Sequence, residues 1–306
     1  MASTSTSTST SPLTLHSTVP LPSGEGHIPR LGLGVCASAA CTPSCVSALK
    51  AGYLHLDTAQ IYNNERETGE GIRQYLSQSP PAKRQDLFIC SKLWETGKPP
   101  NSTFSRESAI EGVESSLQLL GLEYIDLYLL HTPRPGPKCR RDGYLGLQDM
   151  LKAGKVKAIG VSNWAPRHIE ELMTHPDVNV LPAVNQVEYH PWNQQKEIYD
   201  YCKEKGIVMV AYSPLTQGKR LGDEVIKGIA GKHGKTAAQV VLRWILQRGV
   251  LTIPKSDRDS RIKENADIFD FELDGEDMRK IADLDEGQKA NIGKSTMIEL
   301  VPYSRY

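Results

Sequence analysis

Short apolar runs alternate with amphipathic stretches along almost the whole chain. The runs at 31–35, 54–59, 87–93, 125–131, 156–162, 181–188, 208–213 and 251–255 are strand-sized, rich in Leu, Ile and Val, and bounded by turn residues, which predicts β-strands. Between them, apolar residues spaced by three and four predict helices over 43–51, 65–76, 106–120, 144–152, 166–173 and 195–205, with a longer helical block over 222–248. Several of these end at Gly52, Gly121, Gly154, Gly206 or Gly249, as helices closed by a left-handed turn do. A Pro/Gly-rich opening at 20–29 suits a hairpin. Eight β/α units without a break in composition predict a single (β/α)8 TIM barrel with the N-terminal β-hairpin capping its bottom. Uniformly apolar strands match a parallel sheet buried on both faces. A doubly wound sheet shares the same alternation, so the polar residues must decide.

In a barrel the chemistry gathers at the C-terminal strand ends. The second run closes on Asp57 with Tyr62 just beyond it, the third on Lys92, and the fourth on His131. Each residue alone has an ordinary reading as a turn cap, a solvated charge or a rim histidine. Together they are harder to dismiss, because a Lys inside the apolar run 88–94 would be desolvated and needs an acid, and Asp57 on the next strand is one. A phenol with pKa about 10 is a sluggish acid at neutral pH. A cation about 4 Å away is worth roughly 4 kcal/mol at an effective dielectric near 20, while burial pulls a Tyr pKa upward. The set suits proton donation to a carbonyl, with His131 orienting its oxygen.

Composition narrows the possibilities. The chain has 306 residues, 39% hydrophobic and 24% charged, with 36 basic and 36 acidic residues, so it can bury a core and carries no global field for nucleic acid or an anionic membrane. No run reaches the ~18 apolar residues of a membrane helix. Residues 1–16, opening on a Ser/Thr alternation without a basic or apolar signal region, read as a disordered tail ahead of a domain spanning 17–306. Six cysteines without a Cys-x-x-Cys pair point to a reduced, cytoplasmic setting. Asn101-Ser-Thr103 matches a glycosylation acceptor but reads as a polar loop without a secretory route.

The motifs Leu31-Gly-Leu-Gly34, Asp57-Thr-Ala-Gln-Ile-Tyr62-Asn-Asn-Glu65, Ser91-Lys-Leu-Trp94, Asp126-Leu-Tyr-Leu-Leu-His131, Ile159-Gly-Val-Ser-Asn163, Val184-Asn-Gln186-Val-Glu-Tyr-His190-Pro191, Ala211-Tyr-Ser-Pro-Leu215 and Ile253-Pro-Lys-Ser256 occur in this order. In this series the sequence resembles an aldo-keto reductase from about Thr18 to Gly287. The resemblance implies an NADPH-dependent carbonyl reductase with Tyr62 as general acid, Lys92 and Asp57 tuning it, and His131 positioning the substrate carbonyl. It also implies that Ser162, Asn163 and Gln186 hold the nicotinamide carboxamide, that Tyr212 stacks on its ring, and that Ser213 and Leu215 belong to the same cofactor site. Ser162 and Asn163 could equally cap the helix that follows. Lys255, Ser256, Arg261, Glu264 and Asn265 match further cofactor-binding positions of the family. A local cationic pair, Lys255 and Arg261, in a neutral protein favours NADPH over NADH.

Cys36, Trp94 and Thr132 are the expected pocket wall, beside Tyr62 and His131. Thr132 stands where the family often has an aromatic residue. The loop 133–142 is short, Pro-rich and basic, and the 216–222 loop and the stretch after Gly287 are also short. An open pocket accepting aldehydes and ketones broadly is the expectation, in a monomer or weak dimer.

Three other readings compete. Gly32-x-Gly34-x-x-Ala37 and Tyr199-x-x-x-Lys203 match short-chain dehydrogenase signatures, but the glycines follow Pro29-Arg30 instead of an apolar strand, and Tyr199 and Lys203 fall on a surface helix. A non-catalytic NADPH-binding regulatory subunit of the same fold is the second; the four filled catalytic positions weigh against it. The third is a metal-dependent barrel hydrolase, but no clustered ligand set sits at a strand end, so no metal is expected.

Overall fold

The computed structural model describes residues 12–23, 26–97 and 101–292. Eight strands form one parallel sheet in sequential order: β3 (Leu33–Gly34), β4 (His55–Asp57), β5 (Phe88–Leu93), β6 (Ile125–Leu130), β7 (Val156–Ser162), β8 (Val184–Glu188), β9 (Val208–Tyr212) and β10 (Leu251–Thr252). The sheet curls until its edges meet. A parallel bridge pairs Leu31 with Thr252, flanked by hydrogen bonds from Gly32 N to Thr252 O (2.9 Å) and from Thr252 N to Arg30 O (2.9 Å). The polar strand ends therefore do belong to a barrel.

A hairpin of β1 (Thr18–Pro20) and β2 (His27–Pro29) precedes the barrel. Its Leu21 and Ile28 join an interior cluster with Phe88, Val184 and Val208, which lie at the N-terminal ends of their strands, so the hairpin plugs the bottom. The second, larger core lies between sheet and helices. Residues 1–11 of the expected tail lie outside the described residues. Leu13 and Leu15, expected to belong to that tail, pack partly buried against the helix layer.

Helices α1 (Cys41–Lys50), α2 (Glu65–Gln78), α3 (Arg106–Leu120), α4 (Pro137–Lys152), α5 (Pro166–Met173) and α6 (Lys196–Lys205) each follow one strand. Helix α3 ends as its sequence predicts, at Gly121 with φ 68°. Two readings need correction. Helix α4 starts at Pro137, inside the expected loop, because Pro suits a first helical turn and Arg140 is buried by tertiary partners that sequence does not display. The long block divides into α7 (Glu224–His233) and α8 (Ala237–Gln247). Gly234 takes φ 63° there, and Thr236 caps α8 in a reciprocal box with Gln239. Helices α9 (Asp259–Ala266) and α10 (Gly275–Ala282) complete the layer.

Candidate active site

The site follows from strand alternation. Side chains two apart share one face of a strand, and the buried interior cluster contains Phe88 and Cys90 of β5, Leu127 and Leu129 of β6, Ala158 of β7, Val184 of β8, and Val208 and Val210 of β9. Continuing each series to the strand end reaches Lys92, His131, Ser162, Gln186 and Tyr212. The barrel interior is thus apolar through its lower layers and polar at its top.

At the centre, the fully buried Lys92 ammonium donates to Asp57 Oδ1 at 2.5 Å and to the Thr58 carbonyl at 2.8 Å. Burial alone would lower the Lys92 pKa, but the Asp57 carboxylate reverses this and holds it above the ordinary lysine value. Asp57 Oδ2 accepts from Gln186 Nε2 at 2.8 Å, so one carboxylate serves both residues. Tyr62 sits on a 3-10 turn, Gln60–Tyr62, closed by Asn63 at φ 53°. Gln60 fixes that turn by donating to Gly112 O (3.1 Å) and accepting from Trp94 N (2.9 Å). The Lys92 ammonium lies 5.1 Å from the centre of the Tyr62 ring. Burial pushes the phenol pKa up and Lys92 only partly offsets it, so the phenol stays protonated at rest. The upward pull of burial weighed in the sequence wins.

His131 meets the edges of two rings, Tyr62 at 5.6 Å and 83° and Trp94 at 5.0 Å and 83°. Burial, then Lys92 and Arg134, depresses its pKa well below the ordinary histidine value, so the imidazole is neutral and one ring nitrogen is a donor. Asn163 Nδ2 donates to the His131 carbonyl at 3.1 Å.

The other wall is one connected polar set. Ser162 donates to Gln186 O (2.8 Å), and Tyr212 OH donates to Asn163 Oδ1 (2.8 Å), with Asn163 at φ 66°. The capping alternative for Ser162 and Asn163 fails. The cap of α5 is Ala165, whose N–H donates to His168 Nδ1 at 3.1 Å. Across the seam, Lys255 pairs with Asp257 at 2.6 Å, and Asp257 also accepts from Ser38 and from Ala39 N. Ser256 and Asn265 are buried, Arg261 of α9 is exposed, and Glu264 Oε1 accepts from Thr236.

Of the expected pocket wall, Cys36 is exposed at the rim and Trp94 is half-buried. Thr132 lies deeper than either. It is fully buried, and its hydroxyl donates to Glu95 Oε2 at 2.7 Å. Glu95 matches no motif in the sequence, and Arg134 stands out there only as part of the short basic loop 133–142. The adjacency of Glu95 to Trp94 was the one available signal.

Comparison with known proteins agrees with this geometry. A family model described as Aldo/keto reductase family matches residues 43–286. The chain is 46% identical over 281 residues to the glyoxal reductase of Bacillus subtilis, covering 91% of this chain and 96% of the relative. It is 42% identical to the 9,11-endoperoxide prostaglandin H2 reductase of Trypanosoma cruzi, over 90% of this chain and 92% of that one. Among solved structures, a Bombyx mori aldo-keto reductase in complex with NADP superimposes with a TM-score of 0.82 at 30% identity, covering 93% of this chain and 97% of that one. An aldo/keto reductase from Brucella melitensis gives 0.80 at 39% identity, with 88% and 99% covered. With its barrel, its polar strand ends and these relatives, the chain belongs to the aldo/keto reductase family of carbonyl-directed oxidoreductases.

Proposed function

We propose that this protein reduces small aldehydes and ketones to alcohols with NADPH, using Tyr62 as the proton donor. The observation that carries the reading is the buried Asp57–Lys92 pair set beneath the Tyr62 ring, with a neutral His131 on the other side. NADPH supplies the hydride when bound. The donor set suits it: Ser162, Asn163 and Gln186 offer hydroxyl and amide groups beside the Tyr212 ring, Lys255 and Ser256 precede α9, Arg261 lies in its first turn, and Glu264 and Asn265 lie in its last. Two cations near a helix N-terminus favour the 2′-phosphate form.

Tyr62 keeps its proton until negative charge develops on a substrate oxygen and then releases it to that oxygen. Lys92 stabilises the phenolate left behind, and Asp57 holds Lys92 charged and in place. His131 donates a hydrogen bond to the same oxygen from its neutral ring. Cys36 is exposed and Trp94 half-buried, which supports broad acceptance of small carbonyls; the reading also takes the protein to be a cytoplasmic monomer or weak dimer.

The test follows NADPH consumption by the unaltered protein and by Tyr62→Phe, with glyoxal, aromatic, aliphatic and sugar-derived carbonyls and with NADH in parallel. The unaltered protein should turn over carbonyls with NADPH. The Tyr62→Phe protein should bind cofactor and lose about 10³-fold in kcat. NADPH binding without any turnover in the unaltered protein would instead favour a regulatory subunit.

A further inference from the structure

Beyond β5 and β6, two loops are tied together over the site. Glu95, two residues past β5, is buried; its carboxylate accepts from the Thr132 hydroxyl through Oε2 and forms an ion pair with Arg134 through Oε1. The Arg134 guanidinium lies 5.0 Å from the centre of the Trp94 ring. Among the described residues its buried Nε has no hydrogen-bond acceptor, so the group is held by the carboxylate and by its position over the indole. Trp94 in turn meets His131 edge-on at 5.0 Å. The Arg134 loop is itself fastened from below. Arg140 donates to the carbonyls of Pro133 (2.8 Å) and Pro135 (2.7 Å) and makes a two-pronged pair with Glu171 of α5 at 2.8 and 2.7 Å.

We propose that Glu95 and Arg134 are positioning residues for carbonyl reduction: their ion pair, laid against Trp94, holds the indole edge-on to His131 and so fixes the direction in which the imidazole addresses the substrate oxygen. The inference rests on the roles assigned above to Tyr62 and His131. A charged pair suits this task because a planar guanidinium gripped by a buried carboxylate has a single orientation, whereas an aliphatic side chain in its place would leave the indole free to turn.

The experiment compares steady-state kinetics of Arg134→Met, Glu95→Gln, the double variant and Arg134→Lys with the unaltered protein, with Tyr62→Phe assayed alongside. Arg134→Met and Glu95→Gln should each lower kcat about tenfold while KM for the carbonyl and Kd for NADPH stay within about twofold, since orientation acts on the reacting geometry. The double variant should lose no more than the worse single, because either change removes the whole pair. Arg134→Lys keeps the charge and loses the planar stack, and should fall in between. An unchanged kcat in Arg134→Met, a loss confined to KM, or additive losses in the double variant would overturn the proposal. Should Arg134→Met fail to fold, full activity in Arg134→Lys would overturn it equally. Tyr62→Phe separates the two levels: activity retained there sinks the proton-donor reading itself, whereas an inactive Tyr62→Phe beside a fully active Arg134→Met sinks the clamp alone.

Discussion

The barrel has a histidine buried near each end, and the two differ in what surrounds them. At the bottom, His55 of β4 packs edge-on against Phe88 at 5.0 Å and 77° and fills the space that a side chain at position 32 would need. At the top, His131 stands between Tyr62 and Trp94 and within the field of two cations. Burial neutralises both rings, lowering His55 to about 4 against the pull of Asp57. A depressed histidine pKa therefore does not by itself mark function. What separates the two is what they face: Phe88 at the hairpin end, and Tyr62, Trp94 and two cations at the other.

The sharpest way to break this contrast is at the pair beneath Tyr62. Lys92→Met strands a buried carboxylate, so it should cost about 3–5 kcal/mol of stability as well as nearly all turnover; chemical denaturation and a rate assay should fall together, and a stable, active variant would refute the electrostatic account. Next is the exchange of the two histidines, one at a time. His131→Leu should lower kcat about 10²-fold with melting little changed, whereas His55→Leu should leave turnover per folded molecule intact. Equal kinetic losses would erase the distinction between the ends. At the cofactor rim, Lys255→Ala or Arg261→Ala should weaken NADPH binding about tenfold, roughly 1.4 kcal/mol, and NADH binding far less; equal losses would remove the phosphate assignment.

The bottom histidine also predicts a pH dependence. Unfolded, His55 titrates near 6.5; folded, near 4. The native state thus carries the full benefit of a neutral ring above about pH 6.5 and loses it as pH falls towards 4. Melting temperature should decline over that window, and less steeply in His55→Leu; parallel declines would clear His55 of any part in it. Smallest of all, removal of residues 2–11 should change neither melting nor turnover.

Much of the site was legible because a strand period of two projects a linear pattern onto one face. Asp57, Lys92 and His131 could be placed at a common rim from strand ends alone, whereas Ser162 and Gln186 came only with the family resemblance, and β7 has the bounds its apolar run implied. What escaped depends on contacts between distant segments. Nothing local announces that Arg140 is buried against Glu171, or that Glu95 and Arg134 meet across two loops. The bond from the Thr132 hydroxyl to Glu95 was hidden for the same reason, since its acceptor lies in another loop. The division of 222–248 was hidden by apolar spacing that continues on both sides of Gly234.

The seam of the barrel has a consequence for synthesis on the ribosome. The strands that close it come from opposite ends of the domain, and Ser38 and Asp257, which help to tie the rim there, lie 219 residues apart. Until β10 leaves the exit tunnel, β3 and β9 both present unpaired edges, and Lys255 has not yet joined the rim. A nascent chain must carry that open sheet through most of its elongation, a state in which edge-to-edge association is the principal hazard. Completion of the last strand therefore closes the sheet and removes both edges in the same event.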